Sequence, residues 1–310
     1  MSSLGANDAS WYSNDCAYSG QDFLTVLNWG RPGLNNGVYS VLDHNSVYQS
    51  YTLVVGYTEQ YIQAWYNNVL SCPMMTLMVG TSNSYECYNG TYNPSCSVYT
   101  AGVDWDNAIH SVMNWVASHH YDTRITIWGG DDLEGEWDQW TGGSGCPAEP
   151  TTLDFLNGVA NQEATYSPHA LLGDYGDAST GIGNNQCNFS PGVWTENDVY
   201  QASWGIGWDV PIPELYQNAS YQGYQFNAWS QVFKDYQGQK YEFYGVMTEC
   251  SEVDPLPSGQ CYNQRNETCE WSPTIAMTNV NAKQEFGTWP YQDVTNIRWQ
   301  DDSPSGNNGC

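Results

Sequence analysis

The sequence is short of positive charge: Lys and Arg number 7 in 310 residues against 34 Asp and Glu, a formal net charge of −27. Missing bases cause the imbalance more than added acids, because charged residues make up 13% of the chain where about 25% is usual. Too few Lys and Arg remain to neutralise nucleic-acid phosphates or to hold the chain on an anionic membrane surface. No apolar run approaches the roughly 18 residues of a membrane span, so no membrane insertion is expected. G-x-G-x-x-G, G-x-x-x-x-G-K-S/T and H-E-x-x-H are all missing, which removes the motif-level grounds for nucleotide cofactors and zinc proteases. A G-x-S-x-G elbow is missing too, since Gly142-Gly143-Ser144-Gly145-Cys146 fails at its last position. There is no C-x-x-C pair and no Cys/His spacing of a zinc site, and the five His are scattered. The expectation is therefore a protein with no metal and no cofactor. The first residues, Met-Ser-Ser-Leu-Gly-Ala, lack a basic or apolar signal region. A signal peptide removed before Met1 is expected.

What is present points outside the cell. Ten Cys, an even number, suit structural disulfides formed in an oxidising compartment. Four N-x-S/T sequons begin at Asn89, Asn188, Asn218 and Asn266 and fit surface loops. Trp and Tyr number 15 and 24 against 7 Phe. Aromatic rings with a polar handle suit half-wet clefts, where a sugar ring can stack, as well as ordinary packing. The expected location is secreted, extracellular or at the cell surface. A chain with so few bases has few like-charge pairs once acid neutralises its carboxylates, which suits an acidic medium.

Apolar strand-like runs alternate with amphipathic helical runs, the pattern of a parallel sheet with crossover helices. Eight strands are predicted: Phe23–Trp29, Tyr51–Val55, Met74–Val79, Arg124–Trp128, Ala170–Tyr175, Ser203–Trp208, Tyr241–Met247 and Val294–Trp299. Trp105, Ala108, Ile109, Val112, Met113 and Val116 share one helical face. Phe226, Trp229, Phe233 and Tyr236 share another. Thr151 is the predicted cap of a helix through Phe155, Leu156 and Val159. Thr195 with Asp198, and Ser272 before Pro273, read as further helix starts. Eight such units close most simply into a single α/β domain, a (β/α)8 TIM-type barrel spanning 1–310, with a lead-in over 1–20 and a tail over 300–310. An open doubly wound sheet is the alternative, without the nucleotide signature it often carries. Long loops then crowd the C-terminal face. Candidate disulfides brace them: Cys87–Cys96, Cys146–Cys187, Cys261–Cys269 and Cys250–Cys310, with Cys16–Cys72 on the opposite face. Spacing alone leaves the connectivity open.

The densest chemistry lies in Trp128-Gly-Gly-Asp131-Asp132-Leu133-Glu134-Gly-Glu136-Trp137-Asp138, which starts where the fourth predicted strand ends. Asp174 and Asp177 follow the fifth, Asp209 and Glu214 the sixth, and Glu249, Glu252 and Asp254 the seventh. Carboxylates gathered at one mouth repel one another and raise at least one pKa. An acid that keeps its proton beside an ionised partner is what glycosidic bond cleavage requires. Glu134 and Glu249 are the candidate catalytic pair, with Asp132 holding Glu134 and with Asp174 and Asp177 positioning substrate. Trp29, Trp128, Tyr175, Trp204 and Trp208 are candidate sugar platforms. The plainer reading makes Asp131, Asp132, Glu136 and Asp138 a solvated acidic loop, or a calcium-binding one, and the aromatics barrel packing.

Carboxylates after the fourth and seventh strands resemble the retaining barrel glycosidases, although the Asn-Glu pair of that clan is missing. Asp132-Leu-Glu134 resembles the Asp-x-Glu step of barrel muramidases and chitinases. A closer resemblance, over most of the chain, is to uncharacterised secreted bacterial proteins of glycoside-hydrolase-like (β/α)8 barrel type. It rests on WGGDDLEGEW, LLGDYGDAS, DVYQASWGIGWDVPIPELY, FYGVMTEC and VTNIRW. It implies the barrel, and a secreted glycoside hydrolase acting on a polysaccharide or cell-wall glycan. The alternative is a catalytically silent barrel that binds glycan or assembles at a surface. A glycan is the expected partner in either case, with self-association an added feature of the second.

Overall fold

The computed structural model describes residues 1–12, 23–43, 45–69, 74–83, 95–133, 149–176, 196–212, 232–238, 260–262, 268–271 and 294–297. Helix α1 (Ser2–Tyr12) precedes strand β1 (Phe23–Asn28). A three-stranded antiparallel sheet follows, made of β2 (Arg31–Asn35), β3 (Val38–Leu42) and β4 (Tyr48–Ser50). Then come α2 (Tyr51–Asn68), β5 (Met75–Ser82), α3 (Val98–Ser118), β6 (Ile125–Asp132), α4 (Glu149–Glu163) and β7 (Leu172–Asp174). Helix α5 (Glu196–Tyr200) continues into a π-helical turn, Gln201–Gly205, and β8 (Asp209–Pro211) closes this stretch. Strands β9 (Gln260–Tyr262) and β10 (Thr268–Trp271) pair antiparallel, and β11 (Val294–Ile297) is last.

Six strands form one sheet in the order β11-β1-β5-β6-β7-β8, every pair parallel. From β1 to β8 each new strand joins beside the one before it. A doubly wound sheet reverses direction partway; from β1 to β8 this order does not, and β11 joins on the far side of β1. The last strand lies against the first.

Side chains alternate across the sheet, which is apolar on both faces, as a parallel sheet covered on both sides must be. Leu27, Leu77, Val79, Ile125, Ile127 and Leu172 point to the helices and join a core with Tyr61, Trp65, Trp105, Ile109 and Phe155. Leu24, Val26, Met78, Tyr175 and Ile212 point the other way and form a smaller cluster, against which Trp128 packs. Among the described residues the helices are layered on the first of these faces; the second, the inner face, carries the smaller cluster. Helices α3 and α4 touch through reciprocal glycines: a Cβ on Gly102 meets the backbone of Phe155, and one on Gly158 the backbone of Tyr99.

The predicted face of α3 forms as expected, with Trp105, Ala108, Ile109, Val112 and Val116 all buried. Three expectations are corrected. Tyr51–Val55 is no strand but the first turn of α2: Ser50 accepts a hydrogen bond from the Leu53 amide, and Tyr51, Val54, Thr58, Tyr61, Ile62 and Trp65 are buried at helical spacing. Ser203–Trp208 is likewise no strand, because Ser203 lies in the π-helical turn and the strand begins at Asp209. Thr151 caps nothing, since α4 already begins at Glu149. The β2–β3 hairpin went unpredicted although Asn36-Gly37 carries its turn, with φ of 51° and 80°. The loss of Tyr51–Val55 renumbers the sheet. Counting from β1, the strand ending in Asp132 is the third of the consecutive parallel strands and the one ending in Asp174 the fourth, so the fourth-strand placement behind two of the resemblances does not hold.

Cys96 is disulfide-bonded. Cys261 and Cys269 lie on the paired strands β9 and β10, Cys261 opposite Glu270 and Cys269 at a register shift. The other predicted disulfide partners, Cys16, Cys72, Cys87, Cys146, Cys187, Cys250 and Cys310, lie outside the described residues. So do the expected strand Tyr241–Met247, Thr195, Ser272 and most of the helix predicted around Phe226. Among the described residues no helix is long and apolar enough to cross a membrane.

Candidate functional site

Strand β6 reads Ile-Thr-Ile-Trp-Gly-Gly-Asp-Asp, and both glycines lie under closely packed side chains. A Cβ on Gly129 would lie 2.5 Å from Ile109 Cδ1 on α3, and one on Gly130 would lie 2.8 Å from Tyr175 Cε1 on the inner face. Tyr175 lies across Gly130 and Gly80, and its hydroxyl donates to the Thr81 carbonyl at 2.7 Å. The strand then ends in two aspartates that face opposite ways.

Asp132 shares the inner face with Trp128 and is fully buried. Asn28, at the end of β1, donates its amide to Asp132 Oδ2 at 3.2 Å. Asp132 Oδ1 has no hydrogen-bond partner among the described residues. Burial drives the Asp132 pKa well above the usual carboxylate range, and the Asn28 bond offsets only part of that. The side chain resists ionisation and is set at the C-terminal edge of the sheet.

On the helix side of the same edge, Asp131 sits in register with Asp174 of β7. Ser203, from the π-helical turn, donates to Asp174 Oδ2 at 3.1 Å, and the Gly176 amide donates to Oδ1 at 3.3 Å. Burial, then the charges of Asp131 and Asp132, outweigh those two bonds and raise Asp174. Asp209, first in β8, is raised by burial and by Asp174 and Asp131. Asp131, Asp132 and Asp174 thus gather at the C-terminal edge of the sheet, with Asp209 two residues below them at the start of β8. They can hold and pass protons, and they resist ionising together.

A second polar cluster lies between α3 and α4. Asp106 and His110, one turn apart on α3, meet Glu163, the last residue of α4, and all three are buried. His110 Nε2 lies 2.8 Å from Glu163 Oε2, and the Ala170 amide donates to Oε1 at 2.6 Å. Burial alone would raise Glu163; the bonds from His110, Asp106 and Ala170 overturn that and lower it. Asp106 is raised by burial and then by the Glu163 carboxylate beside it.

The structure brings Asp132, Asp174, Trp128 and Tyr175 to the C-terminal half of the sheet. Asp131 and Asp132 are buried strand residues, so the reading of both as a solvated loop is corrected. The sugar-platform reading fails for three of the five aromatics. Trp29 and Tyr175 are 4% and 1% exposed and offer no open ring face. Trp208 is 40% exposed, but it stacks on His169 at 4.0 Å just before β8, at the opposite end of the sheet from Asp132. Trp204 packs on Tyr200 and Phe233. Trp128 keeps the inner-face position a platform needs. Glu134, Glu249 and Asp177 lie outside the described residues. Asn28, Ser203 and the trio Asp106, His110 and Glu163 went unpredicted. The i, i+4 spacing of Asp106 and His110 was a visible signal, whereas Asn28 and Ser203 meet their aspartates only through the fold. No protein-family model matches the chain, and no curated protein is similar to it in sequence.

Proposed function

We propose that this chain is a secreted glycoside-hydrolase-like (β/α)8 barrel that acts on a polysaccharide or cell-wall glycan. The observation that carries the reading is Asp132: a buried carboxyl, its pKa raised by burial, on the inner face at the C-terminal edge of a sequentially ordered parallel sheet. Barrel enzymes place their chemistry at that edge. A retained proton is the chemical requirement for expelling a sugar leaving group. In this reading Glu134 is the acid/base, Glu249 the nucleophile, and Asp132 with Asn28 holds Glu134 and supplies its proton. Asp177 positions the sugar, Asp174 braces the edge through Ser203 and the Gly176 amide, and Trp128 lines the sugar's path. Two further strands between β8 and β11, one of them Tyr241–Met247, would complete a closed eight-stranded barrel. The test is turnover on a broad glycan panel by wild type, Asp132→Asn, Glu134→Gln and Glu249→Gln. Turnover lost in the glutamate variants at unchanged Tm supports the reading. Turnover that persists in both removes the assignment.

A second reading is a catalytically silent barrel that binds glycan. An open groove of about 470 Å³ favours it, lined by Tyr39, Tyr51, Asp104, Asn107 and Ser111. Tyr51 is buried, so the Tyr39 phenol, Asn107 amide, Ser111 hydroxyl and Asp104 carboxylate supply the chemistry that grips sugars. Beside it Val38 and Leu53 are 55% and 46% exposed, a surface suited to self-association. Glycan binding without turnover in all four proteins supports this second reading.

A further inference from the structure

We propose that Asp106, His110 and Glu163 form a buried structural site for a divalent transition-metal ion of the Zn²⁺ class. Each offers one ligand atom, and these atoms lie within 4.8 Å of one another. Tetrahedral zinc with bonds near 2.0–2.1 Å places its ligand atoms about 3.4 Å apart. Small torsions would therefore open the 2.8 Å His110–Glu163 contact by roughly half an ångström and draw Asp106 in.

Two observations point to a ligand beyond the cluster itself. Asp106 is 1% exposed, and beyond its carboxyl hydrogen bond to Glu163 its Oδ2 finds no donor among the described residues. A buried carboxylate oxygen without a donor calls for a water or an ion. Asp106 and Glu163 also line a narrow cavity of about 10 Å³, room for about one water as a fourth ligand.

The donor set selects the metal class. One imidazole nitrogen with two carboxylate oxygens suits zinc and its neighbours, whereas calcium and magnesium prefer oxygen alone. The supports are also those of a metal centre. The Ala170 amide holds Glu163 Oε1, and the Tyr166 ring stacks on His110 at 3.6 Å. The trio bridges α3 to the end of α4, away from the inner face of the sheet. The ion would clamp two helices and take no part in glycan chemistry.

The test uses the full chain after dialysis against EDTA. At pH 7.5, Zn²⁺ at a hundredfold excess over its Kd should raise Tm by about 5 °C. Co²⁺ should give visible d–d bands without the near-ultraviolet thiolate charge transfer that cysteine ligation would add. Asp106→Asn keeps the side-chain volume and a hydrogen bond to Glu163 but removes the anionic ligand. It should keep the metal-free Tm and lose both the Zn²⁺ shift and the Co²⁺ bands. His110→Gln, read the same way, serves if Asp106→Asn does not fold. A wild-type Tm unmoved by Zn²⁺ would overturn the proposal and leave the trio a hydrogen-bonded brace. An equal response in wild type and variant would also overturn it, by assigning the binding to surface carboxylates. Glycan turnover in the metal-free chain is read separately, so failure of either proposal leaves the other standing.

Discussion

Asp132 is the residue on which the site depends, and its chemistry follows from where β6 ends. An acid whose folded pKa is raised stabilises the fold below its unfolded value of about 3.8, and that stability is lost as pH rises through the folded value. Asp132→Asn mimics the protonated form. We expect it to raise Tm at pH 8 and leave Tm unchanged near pH 3.5, as thermal melts at the two pH values would read; an Asn variant less stable at pH 8 would contradict the buried, protonated acid. Gly130 is the complementary case. A methyl group there presses on the Tyr175 ring, so Gly130→Ala should destabilise by about 1–3 kcal/mol in denaturant titrations, an overpacking cost. A neutral outcome would mean that Tyr175 does not lie across β6.

At the scale of elements, the helices are held by caps and by one close crossing. Ser97 accepts a hydrogen bond from the Thr100 amide at the start of α3. Removing it with Ser97→Ala should cost about 1 kcal/mol. The crossing of α3 over α4 matters more, since Phe155 is fully buried there among core residues. Phe155→Ala should cost about 3–5 kcal/mol, measured by urea unfolding. Thr151 shows how an element's start is misread: a capping residue type is visible in sequence, but α4 continues two residues before it. Tyr51–Val55 shows the same for element type. Five apolar or β-branched residues read as a strand until the buried set through Trp65 is seen to repeat at helical spacing.

For the whole molecule, the raised carboxyls act together. Asp132, Asp174 and Asp209 each bind a proton more tightly folded than unfolded. Stability therefore falls as pH rises above their unfolded values, and the net charge of −27 adds self-repulsion in the same direction. Glu163 is lowered and acts oppositely, its contribution being lost in strong acid. We expect Tm to peak in mild acid and to fall between pH 5 and pH 8, and a flat or rising profile over that range would contradict the buried-acid cluster.

The order of chemistry along the chain was legible in sequence: a base-poor chain, alternating strands and helices, the apolar face of α3, and carboxylates gathered just past the predicted strand end at Trp128. These are local properties, set by composition and by periods of two and 3.6 residues. Only the tertiary structure decided that Asp132 faces inward and Asp131 outward, that Asn28 reaches Asp132 across 104 positions, and that α3 and α4 bring His110 to Glu163. Such pairings depend on strand register and helix crossing, which no local pattern encodes. The burial that turns an ordinary carboxylate into a proton-holding acid likewise exists only once the sheet has both of its faces covered.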